Sequence, residues 1–203
     1  IGNTFDLETL AAAMGKTIIE AVALLMPAVL EGLVLQSHRY ESDTNLLHIN
    51  NAEDTYEFLH DMVRQTAYSM ISQEKKKHMH LKIGRSILKN TDRKQLDRKI
   101  LSILDHINRG FDLINDPEEK LKFAEYNLMA GRKAKASAAY NSARDYFRAG
   151  TELIKDNSWD SCRRLYYELY LERAQCEYLT GNGSEAELLF NTILHNVETE
   201  IDK

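Results

Sequence analysis

The stretch "YEFLHDMVRQTAYSMI", Tyr56 to Ile71, holds the residues best suited to chemistry. An adjacent imidazole and carboxylate, His60 and Asp61, can ligate a divalent ion that activates water. Completing such a centre takes a further His and a further Asp. His38, His48 and the pair Asp105-His106 are the available residues, and no spacing compels them to meet. Helical phase points elsewhere. At about 100° per residue, Phe58, Leu59, Met62, Val63, Thr66 and Met70 form one apolar face. His60, Arg64 and Tyr68 fall on the opposite side, with Asp61 and Gln65 beside them. The stretch therefore reads as a packed helix with an outward polar stripe.

Other combinations fall short of a reactive site. "MGKT" at Met14 to Thr17 has the end of a phosphate-binding loop, but the glycine that loop needs at position 10 is Leu10, and the preceding alanines are helical. Gly15-Lys16 reads as a turn between helices. His78 and His80 in "KKKHMH" diverge by about 200° on a helix and cannot share one metal. No hydroxyl or thiol has a His positioned to activate it, and no cofactor is expected.

The elements that carry these residues follow from composition and punctuation. In 203 residues, 43% hydrophobic and 28% charged, there are only nine Gly and two Pro, which favours long helices. Cys162 and Cys176 make neither a disulfide framework nor a four-thiolate zinc site. Both read as buried thiols in a reducing cytoplasm. "IIEAVALLMPAVLEGLVL" contains Glu20, Pro27 and Glu31, so no membrane span is expected. The first residue is Ile and no leader pattern is visible, so the chain reads as a fragment of a longer protein.

"FDLETLAAAMG", "TIIEAVALLM" with Thr17 as N-cap, and "PAVLEGL" starting at Pro27 predict three short helices. "LVLQ" and "LLHIN" predict two strands around a polar loop. That order gives a winged-helix-like unit over residues 1–72. From Ala52 onward the pattern predicts helices over about 53–71, 73–90, 94–109, 117–137, 140–155, 161–180 and 184–199, and residues 73–203 form a helical array. Gly131, Ala143, Phe147 and Gly150 recur at the offsets of Ala174, Ala186, Phe190 and Ile193. Small residues that let helices approach, with an aromatic filling the gap, follow the logic of a TPR-like repeat. The fold expected is mostly α.

Charge separates along the chain. Residues 1–50 hold Lys16 and Arg39 against six acids, whereas residues 74–99 hold ten Lys and Arg against three acids. The basic belt reads as a solvated helix face, with Lys75, Lys76, Lys77, Lys82 and Arg85 as a patch for an acidic partner. "PAVLEGLVLQ", where a winged helix would read DNA, has no Lys or Arg, and the net charge of −5 gives no general reason to expect nucleic acid.

Several blocks in order resemble a known region: "FDLETLAAAMGK", "LLMPAVLEGLVL", "YEFLHDMVRQTAYSMI", "HLKIGRSIL", "DHINRG" and "KLKFAEYNLMAGRKAKASAAYNSARDYFRAG". They are similar to the segment after the AAA-like ATPase domain of STAND-type bacterial hybrid histidine kinases and serine/threonine kinases. The resemblance implies a winged helix closing the ATPase, then TPR-like helices, with GAF and kinase modules beyond. It implies that His60, Arg64 and Tyr68 contact another domain, and His60 is its foremost position. The expected role is non-catalytic: a regulatory segment between ATPase and kinase domains, with a protein partner on the helices. Two alternatives stand beside it, a DNA-binding regulator with TPR-like repeats and an HD-type metal-dependent phosphohydrolase using His60 and Asp61.

Overall fold

The computed structural model describes residues 4–37, 55–155 and 162–201, and they are mostly helical. The chain divides into two compact units, residues 1–96 and 97–203.

The first unit is organised by a small sheet. Strands β1 (Thr4–Asp6), β2 (Val34–Ser37) and β3 (Thr55–Phe58) lie in the order β1-β3-β2, both pairings antiparallel, with Phe5 opposite Tyr56 and Val34 opposite Phe58. Helix α1 (Leu7–Met14) starts where the Asp6 carboxylate accepts the Thr9 N–H at 2.6 Å. It stops at Gly15, whose φ of +65° returns its own N–H to the last turn. Thr17 and Glu20 form a capping box for α2 (Ile18–Leu30). Phe5, Leu7, Val34 and Tyr56 are the core, covered by Leu10, Ile18, Val22, Leu25 and Val29.

Pro27 does not open a third helix. It lies inside α2, which runs unbroken to Leu30. The carbonyl deprived of a donor belongs to Ala23, on the exposed side where water can reach it, and the Pro27 carbonyl itself accepts from the Glu31 N–H at 3.0 Å at the helix end. The expected strand at "LLHIN", residues 46–50, lies outside the described residues, as do His38 and His48. The segment that pairs with β2 is Thr55–Phe58, which sequence pattern had assigned to the head of a helix.

Helix α3 (Asp61–Ser69) is therefore short, and α4 (Gln73–Lys89) follows, capped by Ser72. Packing of α4 on α1, with Asn90 donating to Glu8 at 2.7 Å, draws it into the first unit. The boundary between the units accordingly falls between residues 96 and 97, whereas the order of predicted elements places it between 72 and 73.

The second unit comprises α5 (Leu96–Ile107), a short 3-10 turn at Phe111–Leu113, α6 (Pro117–Ala136), α7 (Tyr140–Ile154), α8 (Arg163–Leu179) and α9 (Gly183–Ile201). Sequential helices from α6 to α9 pack on one another, and α6 also meets α8. The small-residue positions carry these contacts. A Cβ on Gly131 would overlap the Phe147 ring, and one on Gly150 would lie 2.7 Å from Leu169 Cδ2. Ala143, Phe147, Ala174, Ala186 and Ile193 are buried, and Phe190 is half-buried. Of the two thiols, Cys176 is buried, which pushes its pKa up. Cys162 is half-exposed just ahead of α8, contrary to the reading of both as core residues.

Candidate functional site

His60 occupies the cap position of α3 in extended conformation, its side chain exposed and making no cap hydrogen bond. Asp61 opens the helix and accepts from Arg64 Nε at 2.7 Å and from Gln65. Those hydrogen bonds, the Arg64 one foremost, hold its carboxyl below the usual range.

The remainder of the outward stripe faces inward. Tyr68 is half-buried against α4, its hydroxyl 2.9 Å from Nε2 of His80, with the two rings edge to face. Lys76 Nζ sits 4.4 Å from the centroid of the Tyr68 ring. Conversely Met62 and Met70, assigned to the core face, are 76% and 82% exposed. The physical reason is the strand. With Phe58 in β3 and the helix starting at Asp61, a wheel drawn from residue 58 carries the wrong phase. The polar groups His80 and Lys76 on α4 then accommodate Tyr68 as no aliphatic wall would.

On α4 the basic patch separates into two sets. Lys75, Lys82 and Arg85 are exposed, and His78 and Lys89 share their stripe at helical spacing. Lys76 and Lys77 are half-buried beside it, Lys77 paired with Glu74 at 3.9 Å. Opposite the stripe, His80, Leu81, Ile83 and Gly84 are buried.

Helix α2 presents an apolar open surface. Ile19 and Leu30 are 82% and 79% exposed, Ala23 and Pro27 lie between them at helical spacing, and Leu24, Leu33 and Leu35 are also exposed. Several large apolar side chains gathered on one face of a small unit mark an interaction surface. Glu20 and Glu31 border it, and Lys16 nearby is paired with Glu20 at 3.8 Å. Sequence reading noted the missing cations here. It did not anticipate that the aliphatic residues would be uncovered.

The second unit offers a polar groove of about 850 Å³ bounded by Asp105, Arg109, Tyr146, Arg148 and Glu152. The Tyr146 hydroxyl donates to Asp105 at 2.7 Å, and burial together with that carboxylate raises its pKa. Next to Asp105, His106 is half-buried, and burial lowers it to about 4 from its ordinary 6.5. The folded state thus holds His106 neutral while the unfolded chain protonates first. Stability should fall as pH drops from about 6.5 to about 4. His106→Gln should flatten that part of the profile, read by denaturant unfolding at pH 7, 5.5 and 4.5.

Across α6 and α8, Arg132 pairs with Glu168 and Glu172, each at 3.0 Å, Lys135 reaches Glu172 at 2.7 Å, and Arg164 reaches Glu168 at 2.7 Å. The hydrogen bond from Arg164 lowers Glu168. Burial raises Glu172, but hydrogen bonds from Lys135 and Arg132 outweigh it and the net shift is downward. This is a surface lattice holding two helices together, with nothing in it arranged for reaction.

Among the described residues, no three His, Cys, Asp or Glu side chains gather to hold a metal. His60-Asp61 belongs to the first unit and Asp105-His106 to the second. Among the same residues, no single helix is long and apolar enough to cross a membrane.

Comparison with known proteins finds a relative in signalling. The chain is 28% identical over 169 residues to hybrid signal transduction histidine kinase G of Dictyostelium discoideum. The match takes in 71% of this chain and 5% of that kinase, so the chain corresponds to a small portion of its length. This links the chain to histidine kinase proteins. No family model matches it, and no solved structure matches it.

Proposed function

We propose that this chain is a non-catalytic regulatory segment of a multidomain signal-transduction kinase, relaying the state of an upstream ATPase domain to downstream sensor and kinase domains. The observation that carries the reading is the open apolar face of α2, in a chain similar to a portion of a hybrid histidine kinase. The strand order β1-β3-β2, with two helices between β1 and β2, supports a winged-helix-like unit. In that architecture α2 is the helix that would enter a DNA groove. An aliphatic helix with acidic borders is suited instead to a protein surface.

The occupant of the α2 face is another domain of the same polypeptide. His60 and Met62, exposed at the start of α3, extend the contact, while Arg64 and Tyr68 hold α3 in position beside α4. The close packing of Gly131 on Phe147 and Gly150 on Leu169 supports a TPR-like arrangement of the second unit. In the first unit, α4 offers Lys75, Lys82 and Arg85 to an acidic partner.

The test uses the full-length protein. Ile19→Glu with Leu30→Glu alters two exposed positions, so folding of the segment should change by no more than roughly 0.5 kcal/mol. Nucleotide control of phosphotransfer should be lost. Unaltered control in that variant overturns the reading. So does phosphoester hydrolysis by the isolated chain, or salt-sensitive binding to duplex DNA that weakens when Lys75, Lys76 and Lys77 are changed together.

A further inference from the structure

A second feature of the first unit has no part in that reading. Where α3 and α4 meet the sheet there is a cavity of about 130 Å³. Its walls are Phe5, Leu10, Phe58, Ile71, Met79 and Ile83, with Tyr68 and His80 completing one side. An apolar cavity of about this size holds one aromatic ring, and the Phe5, Phe58 and Tyr68 rings that border it favour a flat guest.

Two cations share the same lining, Arg64 from α3 and Lys76 from α4. Both are half-buried. Arg64 is already engaged by Asp61. Lys76 rests over the Tyr68 ring and has no carboxylate partner among the described residues. The Tyr68 hydroxyl and Nε2 of His80 occupy each other through their hydrogen bond. An apolar hole bordered by a cation without an anionic partner, and a second cation that could exchange its own, is complementary to a guest with one ring and one negative charge.

The geometry points to a binding site for a small monocyclic aromatic carboxylate. The ring enters between Phe5, Phe58 and Ile83, and the carboxylate meets Lys76 Nζ. The same carboxylate competes with Asp61 for the Arg64 guanidinium. Among the described residues, Lys76 is the lining cation without a carboxylate partner, which suits a monoanion, and no acidic side chain in the lining favours an amine guest. The assignment stands independently of the regulatory role proposed above, since it depends only on the interior of the first unit.

Phenylacetate is the probe and phenylacetamide its neutral isostere, titrated into this chain by calorimetry and by chemical-shift mapping. A ligand of this size should bind with Kd of roughly 0.1–1 mM. The amide should bind about tenfold more weakly, as expected for losing one charge-assisted contact. Lys76→Met keeps the aliphatic stem and should remove most of the difference between acid and amide. Asp61→Asn, by releasing Arg64, should tighten phenylacetate by roughly threefold and leave the amide unchanged. Ala67, also in the lining, is exposed, so Ala67→Trp can block the opening in a chain that still folds. It should eliminate binding of both probes. The assignment is overturned if phenylacetate fails to bind at roughly 10 mM. It is equally overturned if acid and amide bind alike, or if Asp61→Asn weakens the acid.

Discussion

Replacing Phe147 with Ala should destabilise the second unit by about 3–5 kcal/mol, among the largest losses expected of any single substitution in the chain. Phe147 is fully buried on α7, and the residue facing its ring is Gly131 on α6. A glycine has no side chain to swing into the space left by the ring. The cavity therefore relaxes poorly, and the cost belongs at the upper end of the range. For a unit of this size the midpoint of thermal unfolding should drop by roughly 12 °C or more.

The reverse substitution tests the same contact from the other side. Gly131→Ala adds a methyl that overlaps the ring. Overpacking costs about 1–3 kcal/mol, and only up to about 1 kcal/mol returns as helix propensity. Gly131→Ala combined with Phe147→Leu should be less damaging than the two single changes added together, because the methyl then enters space the ring has vacated. Strict additivity in denaturant unfolding would show that the two residues do not share one packing site.

That contact is also where the sequence was most informative. Gly131, Ala143, Phe147 and Gly150 share their spacing with Ala174, Ala186, Phe190 and Ile193, and the first set does form a close helix seam. The start of α6 and the break between α8 and α9 were legible because they carry strong local signals. Asp116 caps α6 and accepts from Glu118 at 3.2 Å, Pro117 follows as its first residue, and Gly181 takes a φ of +87° after α8. What failed was whatever depended on a distant partner. Thr55–Phe58 is a strand because β1 and β2 flank it, and nothing within those four residues announces that. Misplacing it rotated the whole reading of α3, so Tyr68 was turned to solvent when it meets His80. Asn108 and Asn127 look like two ordinary polar residues. In the fold they exchange hydrogen bonds of 2.7 and 3.1 Å, with Asn127 fully buried. Periodicity reports which face of a helix is apolar, but not which polar residue will find a partner on another helix.

Arg173 is the sharpest case of such a partner-dependent residue. Its side chain is only 13% exposed. It donates to Thr151 on α7 at 3.0 Å and to Glu185 on α9 at 2.7 Å, and lies 3.8 Å from the buried Glu177 on its own helix. One guanidinium thus joins three consecutive helices. Its Nε is buried with no hydrogen bond, so even the native arrangement leaves one donor uncompensated. Arg173→Met preserves much of the stem but strands the Glu177 carboxylate, which keeps only Asn182 at 2.7 Å. Breaking a buried pair from one side costs about 3–5 kcal/mol. Adding Glu177→Leu removes the stranded charge, and a well-packed apolar pair of similar volume is often no less stable than the ions it replaces. The double variant should therefore unfold at higher denaturant than Arg173→Met alone, despite carrying one more change. Chemical unfolding of the four proteins in that cycle separates the alternatives. Recovery in the double variant identifies Arg173 as a neutraliser of Glu177, whereas a further loss identifies it as the tie between α7 and α9.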